Sequence, residues 1–299
     1  MEFQQINENC YYFQGAVNIG YIHDGKTGLL IDAGLEKHAM KKVLKKLESE
    51  GLPITHLFIT HAHADHYGGA AYLQSTKKIL TFAPKIEEAI LENPLFEPLY
   101  LFQGNEPITE LRNKFLEGTR VKVDQVVEEG DLLLGNLKIN IYSLPGHSIN
   151  QLGLIGYNIF YCADAYFGPE QLIKHKIPFI IDGEKTLQTL HKIKSIPCDG
   201  AVPGHGRFEE AYAKTVDENI RCHEEILEDV YHTIAYTAGG IPQEELVRRM
   251  CQKYHVELKN LSSWLLYRTA VMAYVTKLFK DEKIEWSFEN SIFKIKLVS

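Results

Sequence analysis

Residues 60–69 read Thr-His-Ala-His-Ala-Asp-His-Tyr-Gly-Gly, so three histidines and a carboxylate fall within six positions directly after the apolar segment 54–60. No other stretch restricts the chain so much. On an extended backbone side chains two apart point the same way, which lets His61 and His63 converge on one ion. A tight turn after them would let Asp65 and His66 face a second ion, with Gly68-Gly69 giving the backbone room to bend into a helix. Imidazole with carboxylate suits zinc, iron or manganese better than calcium or magnesium. A surface histidine tract would not need a buried-type strand in front of it.

One loop cannot complete two coordination spheres, so further donors are required elsewhere. Three segments supply them. Leu144-Pro145-Gly146-His147-Ser148 follows the alternating segment 137–142, Asp164 closes the apolar run 152–161, and Val202-Pro203-Gly204-His205-Gly206-Arg207 repeats the strand-then-turn pattern. Taken singly, a histidine beside Pro and Gly is an ordinary turn residue, and an aspartate after a strand is an ordinary helix cap.

Taken together, in order and spacing, Asp32-Ala33-Gly34 after residues 29–31, the His-x-His-x-Asp-His run, Pro145-Gly146-His147, Asp164 and Pro203-Gly204-His205-Gly206 resemble the five motifs of the metallo-β-lactamase-fold hydrolases. The resemblance covers roughly the first two-thirds of the chain. It implies an α/β fold, a four-layer αββα sandwich with a dinuclear site at one edge. Carried over residue by residue, His61, His63 and His147 would hold one metal and Asp65, His66 and His205 the other. Asp164 would bridge them, and Asp32 would accept a hydrogen bond from a ligand histidine and fix its tautomer. The implied cofactors are two divalent ions, zinc first, with iron or manganese as alternatives.

Such a centre implies a hydrolase acting through a metal-bridging hydroxide, with Asp65 and Asp164 as the catalytic carboxylates that orient the water or receive its proton. The expected substrate is a small ester, thioester or lactone. The same core also serves phosphodiester cleavage and, with one iron, persulfide oxidation, and a non-catalytic metal scaffold is a further alternative. A basic cluster that would hold glutathione carboxylates, as in glyoxalase II-like members, is not identifiable near the carboxy terminus. Tyr67, Ser148, Asn150, Tyr166 and Arg207 adjoin ligand positions and are candidate substrate contacts, with a structural role as the alternative for each, a salt bridge in the case of Arg207.

The 299 residues exceed the size at which one core usually stops growing. A catalytic domain is expected over 1–207 and a smaller, mainly helical domain over 208–299. Segments 208–236, 243–254 and 262–280 read as helices, with strands at 284–286 and 291–297 around a Glu289-Asn290 turn; this order resembles the winged-helix appendage of some family members. A formal charge of −7 supplies no general phosphate-binding field, which argues against nucleic acid as a partner. A small molecule is the expected partner, with a homodimer as an option. Five scattered cysteines without Cys-x-x-Cys spacing favour reduced thiols. With neither a secretory pattern at the amino terminus nor a membrane-length apolar run, a cytoplasmic protein is expected.

Within the first domain, residues 11–34 read as short strands broken at 18–20 and 24–26, residues 36–50 as an amphipathic helix, and 79–92 as strand, turn and helix. The apolar connection 93–118 is expected either to wall the metal site or to pack on the core or a second subunit.

Overall fold

The computed structural model describes residues 1–298. Strands β1 (Glu2–Gln5), β2 (Cys10–Gln14), β3 (Ile19–His23) and β4 (Gly28–Ile31) form an antiparallel run. After helix α1 (Lys37–Ser49) the sheet continues in parallel with β5 (His56–Phe58). Helices α2 (Ala64–Tyr67) and α3 (Ala70–Thr76) lead to β6 (Leu80–Pro84), while α4 (Glu87–Glu92) and α5 (Phe96–Leu101) precede β7 (Gln125–Val127) at the far edge. The second sheet holds β8 (Gly130–Leu134), β9 (Leu137–Ser143), β10 (Leu152–Gly156) and β11 (Ile159–Ala163). After α6 (Pro169–His175) and α7 (Gly183–Lys194), β12 (Gly200–Pro203) joins parallel to β11.

Period-two alternation explains the layering. Tyr12, Ile22, Leu29, Ile31 and Phe58 face inward against Leu137, Ile139, Ile141, Leu154 and Tyr161 of the second sheet. Their neighbours Phe13, Tyr21, Leu30 and Leu57 face outward and are covered by Met40, Val43, Leu44, Leu47 and Leu73 of α1 and α3. Phe160 and Cys162 face the opposite outer side, against Leu190, Ile193, Val216 and Ile220. Helix, sheet, sheet and helix thus form the four layers of the αββα sandwich.

Two strand readings need correction. Residues 18–20 do not break a strand, because Ile19 already pairs with Phe13. The run 152–161 is a hairpin of two strands, reversed at Tyr157 and Asn158, both at positive φ. Five buried β10 residues and five buried β11 residues flank it, so the turn is marked only by the short exposed pair Tyr157-Asn158.

The remaining elements are α8 (Ala213–Ala235), β13 (Ile241–Pro242), α9 (Gln243–Lys253), α10 (Leu261–Lys280), β14 (Ile284–Glu289) and β15 (Ile292–Leu297), with β15 between β13 and β14. Helix α8 serves two cores. Val216 and Ile220 pack on the second sheet, whereas Ile226, Val230 and Ile234 join Leu246, Met250, Val271, Tyr274 and Ile295. A boundary at residue 207 therefore precedes a helix whose first half completes the sandwich. Among the described residues no helix is long and apolar enough to cross a membrane.

Candidate metal centre

The carboxyl ends of β4, β5, β9, β11 and β12 all open at one edge of the sandwich, and each is followed by a donor-bearing loop. Asp32 follows β4 at φ 64, a strained conformation for a residue with a Cβ. Its backbone N–H donates to Phe58, and Ala33 N–H donates to His66, tying the two loops together. Gly68 and Gly69 pass so close to that loop that a Cβ would meet the carbonyls of Leu35 at 1.9 Å and Ala33 at 2.3 Å. Parallel pairing of β11 with β12 then sets Asp164 beside Gly204 and His205. A Cβ on Gly204 would stand 2.0 Å from Asp164 Oδ1, so only glycine leaves the carboxylate its place.

Three groups of donors result, each with its ligand atoms within 4.8 Å of one another: His61, His63 and His147; His61, His66 and Asp164; and Asp65, His66 and His205. His63 Nδ1 lies 3.0 Å from His61 Nε2 and 2.9 Å from His147 Nε2. Ligand nitrogens around a tetrahedral zinc stand about 3.3 Å apart, given Zn–N bonds of about 2.0–2.1 Å. Asp164 lies between the clusters, Oδ1 at 3.3 Å from His66 Nε2 and Oδ2 at 3.4 Å from both His147 Nε2 and His205 Nε2. Asp65 Oδ2 is 3.5 Å from His205 Nε2. His66 Nε2 and Asp164 Oδ1 are buried without a hydrogen-bond partner. Buried orphans of this kind call for a cation, and the mixture of imidazole and carboxylate suits zinc, iron or manganese.

The nitrogens turned away from the centre are anchored. His66 Nδ1 donates to Asp32 Oδ2 at 2.7 Å, His147 Nδ1 to the Phe179 carbonyl at 2.9 Å and His205 Nδ1 to the Ala16 carbonyl at 2.7 Å. His61 Nδ1 meets Thr60 Oγ1 at 3.0 Å, and that hydroxyl donates in turn to Asp32. Asp32 thus orients one histidine directly and a second through Thr60.

Protonation separates the clusters. Burial holds His63 and His147 down to about 4 and His61 well below its ordinary range. Burial acts the same way on His205 and His66, but Asp164 and the other carboxylates overcome it, raising His205 to about 10 and His66 well above normal. Asp164 and Asp65 are lowered against burial by the imidazoles around them.

A cavity of about 440 Å³ opens over the centre, lined by His63, Asp65, His147, Asp164 and His205. Its apolar wall comes from Phe115 and Leu116 of segment 93–118, Phe167, Ile177, Phe179, and Leu266 and Tyr267 of α10. A second chamber of about 480 Å³ shares His63 and Glu97 with the first and continues past Tyr100 and Ile149 to Arg268 and Met272. Segment 93–118 therefore walls the site. It also packs on the appendage, through Leu101, Leu111 and Leu116 against Leu265.

The expected substrate contacts are displaced. Tyr67 is fully buried beneath Gly118, whose N–H donates to its hydroxyl at 3.0 Å, because one step beyond His66 on a helix turns away from the cavity. Tyr166 is buried among the helices of the outer layer, stacked on Tyr212. Arg207 is exposed and lines neither chamber. Ser148 borders the second chamber while donating to Glu87 Oε1 at 2.6 Å, and Asn150 is held by Lys85 and Glu87. Glu97, His175 and the aromatic wall were not found from sequence. None carries a motif, and the apolar character of 93–118 points only to Phe115 and Leu116 among them.

Comparison with known proteins agrees with this geometry. The family model described as "Metallo-beta-lactamase superfamily" matches residues 12–226. A hydroxyacylglutathione hydrolase of Nitrobacter hamburgensis is 24% identical over 74% of this chain and 75% of its own. One from Dechloromonas aromatica is 28% identical over 48% of this chain and 42% of its own, less than two thirds of that relative's length. Among solved structures, a metallo-beta-lactamase family protein from Thermus thermophilus superposes with a TM-score of 0.76 at 14% identity, covering 98% of this chain and 100% of the other. A beta-lactamase domain protein from Burkholderia ambifaria gives 0.74 at 14% identity, over 99% and 94% of the two chains.

Proposed function

Since this chain belongs to the metallo-β-lactamase superfamily, we propose that it is a dinuclear metal-dependent hydrolase acting on a small ester, thioester or lactone. The observation that carries the reading is the convergence of His61, His63, His147, Asp65, His66, His205 and Asp164 at one sheet edge, with two of their polar atoms buried without a hydrogen bond. Two bound divalent ions would acidify a water and polarise a substrate oxygen.

The protein's own part is positional. Asp164 faces both clusters and Asp65 faces His205 from the cavity side, so either carboxylate can orient the attacking water or take its proton. Phe115, Leu116, Phe167, Phe179, Leu266 and Tyr267 exclude bulk water and seat an apolar substituent beside the carbonyl. The names of the curated relatives support thioesters as the first class to try.

The appendage supports a small substrate over nucleic acid. Arg248 and Arg249 pair with Glu245, Lys253 with Asp229, Lys277 with Asp281, Lys280 with Asp182, Lys294 with Glu289 and Lys296 with Glu285. Cations neutralised within the fold leave little to displace counterions from a phosphate backbone.

Elemental analysis of protein purified without a histidine tag or chelator tests the centre, followed by a panel of esters, thioesters, lactones and phosphodiesters. Two metals per chain with turnover of a carboxylic substrate is the expected result. One iron per chain with oxygen consumption, or phosphodiester cleavage that falls steeply with salt, would replace this reading.

A further inference from the structure

Four of the five clustered histidines have an anchored outward nitrogen, the acceptors being Asp32, Thr60, Phe179 O and Ala16 O. His63 differs in presenting Nδ1 to the cluster, which turns Nε2 outward toward the wall of both chambers. There it faces Glu97 Oε1 at 3.9 Å, just beyond hydrogen-bond length. Glu97 is 3% exposed, and its other oxygen, Oε2, is buried without a hydrogen-bond partner. A glutamate sequestered so fully beside Tyr100, with Oε2 lacking a hydrogen-bond partner and Oε1 turned to an imidazole of the cluster, is costly to bury unless it serves that imidazole.

We propose that Glu97 is the positioning residue for His63, accepting its Nε2–H so that Nδ1 is presented to the first metal. This rests on the dinuclear reading and deepens it, because it gives segment 93–118 a part in building the centre as well as in walling it. A ligand imidazole needs its far N–H held by a carboxylate, carbonyl or hydroxyl to fix its tautomer and ring orientation. Among the described residues, Glu97 is the ion-pairing partner on that side of His63. It is delivered by α5, whose position depends on the packing of Leu101, Leu111 and Leu116 against Leu265. Formation of the first metal site is thereby tied to the docking of α10.

The test compares wild type, Glu97→Gln and Glu97→Leu by zinc competition against a chromophoric chelator, with absorption spectra of the cobalt(II)-loaded proteins and melting of each metal-free form. Gln keeps a carbonyl oxygen at the position, whereas Leu keeps the volume and removes the acceptor. One of two zinc affinities is expected to weaken tenfold or more in Glu97→Leu, with an altered cobalt spectrum. Glu97→Gln should lose clearly less than Glu97→Leu, because a neutral acceptor keeps about half the strength of a charged one. Two zinc ions held by Glu97→Leu as tightly as by wild type would overturn the inference alone, as would equal losses in both variants. Fewer than two zinc ions in wild type would overturn the dinuclear reading itself. Should Glu97→Leu fail to fold, the zinc-loaded wild type still decides: a slowly exchanging His63 Nε2–H that moves in Glu97→Gln supports the contact, and an unprotected, unmoved proton removes it.

Discussion

The metal centre and the wall above it are built on opposite principles. Every donor of the centre sits within a few residues of a strand end, held by contacts between loops that the sheet already places side by side. The wall is assembled from three distant pieces: segment 93–118, the stretch from Phe167 to Phe179, and the first turns of α10. Its members are common apolar residues whose meeting depends on the whole appendage docking correctly. The donors are therefore set by the strand ends that carry them and the wall by docking of the appendage, and the two should respond differently to mutation.

Asp164→Ala offers the largest test of that division. Its carboxylate stands between the clusters at 3.3–3.4 Å from three imidazoles. Turnover should fall by about a thousandfold or more, with both metals loosened, while the wall and the metal-free fold persist. Activity within tenfold of wild type, at full metal content, would remove Asp164 from its bridging place.

Leu265→Ala attacks the wall instead. The side chain is 2% exposed and packs on Leu101, Leu111 and Leu116, so the truncation should cost about 3 kcal/mol in denaturant unfolding. A raised KM with two metals retained would match a wall separable from the centre. Loss of a metal in this variant would show that the two regions are coupled more tightly, in the direction that Glu97 predicts.

An effect of similar size, confined to a window of pH, is expected at the joint between sandwich and appendage. His223 of α8 is buried, with Nδ1 2.8 Å from Tyr274 Oη of α10, and burial lowers its pKa to about 4 from an ordinary 6.5. Between those values the unfolded chain binds the proton and the folded chain does not. Stability is therefore complete above about pH 6.5 and declines as pH falls toward 4, by on the order of 3 kcal/mol. Urea unfolding of wild type and His223→Gln across that window should converge at low pH. Parallel curves would show that His223 does not titrate between the two states.

The same contrast governs what could be read from the chain beforehand. His61, His63, Asp65, His66, His147, Asp164 and His205 announce themselves because strand ends and turn residues are local signals, and Asp32 sits where the resemblance expects it. Adjacency misleads for the rest. Tyr67, Tyr166 and Arg207 follow ligand positions by one or two residues, yet helix rotation at Tyr67 and the turns after β11 and β12 send them into the core or outward to solvent. Glu97 escapes notice because its partner His63 lies 34 positions earlier, and because glutamate in a short helix is ordinarily solvated.

The anchors of the histidines divide in another way. Ala16 and Phe179 serve through main-chain carbonyls, whereas Asp32 and Thr60 serve through their side chains. The anchoring role at 16 and 179 therefore depends on the path of the backbone, whereas at 32 and 60 it needs an oxygen-bearing side chain. Phe179 also lines the chamber, and its ring lies edge-on to His63 and His147 at centroid distances of 5.5 and 5.7 Å, so a change of side chain there reaches the surface that meets a substrate and two imidazoles at once. At that one position, the shape of the chamber and the setting of the donors are bound to the same side chain.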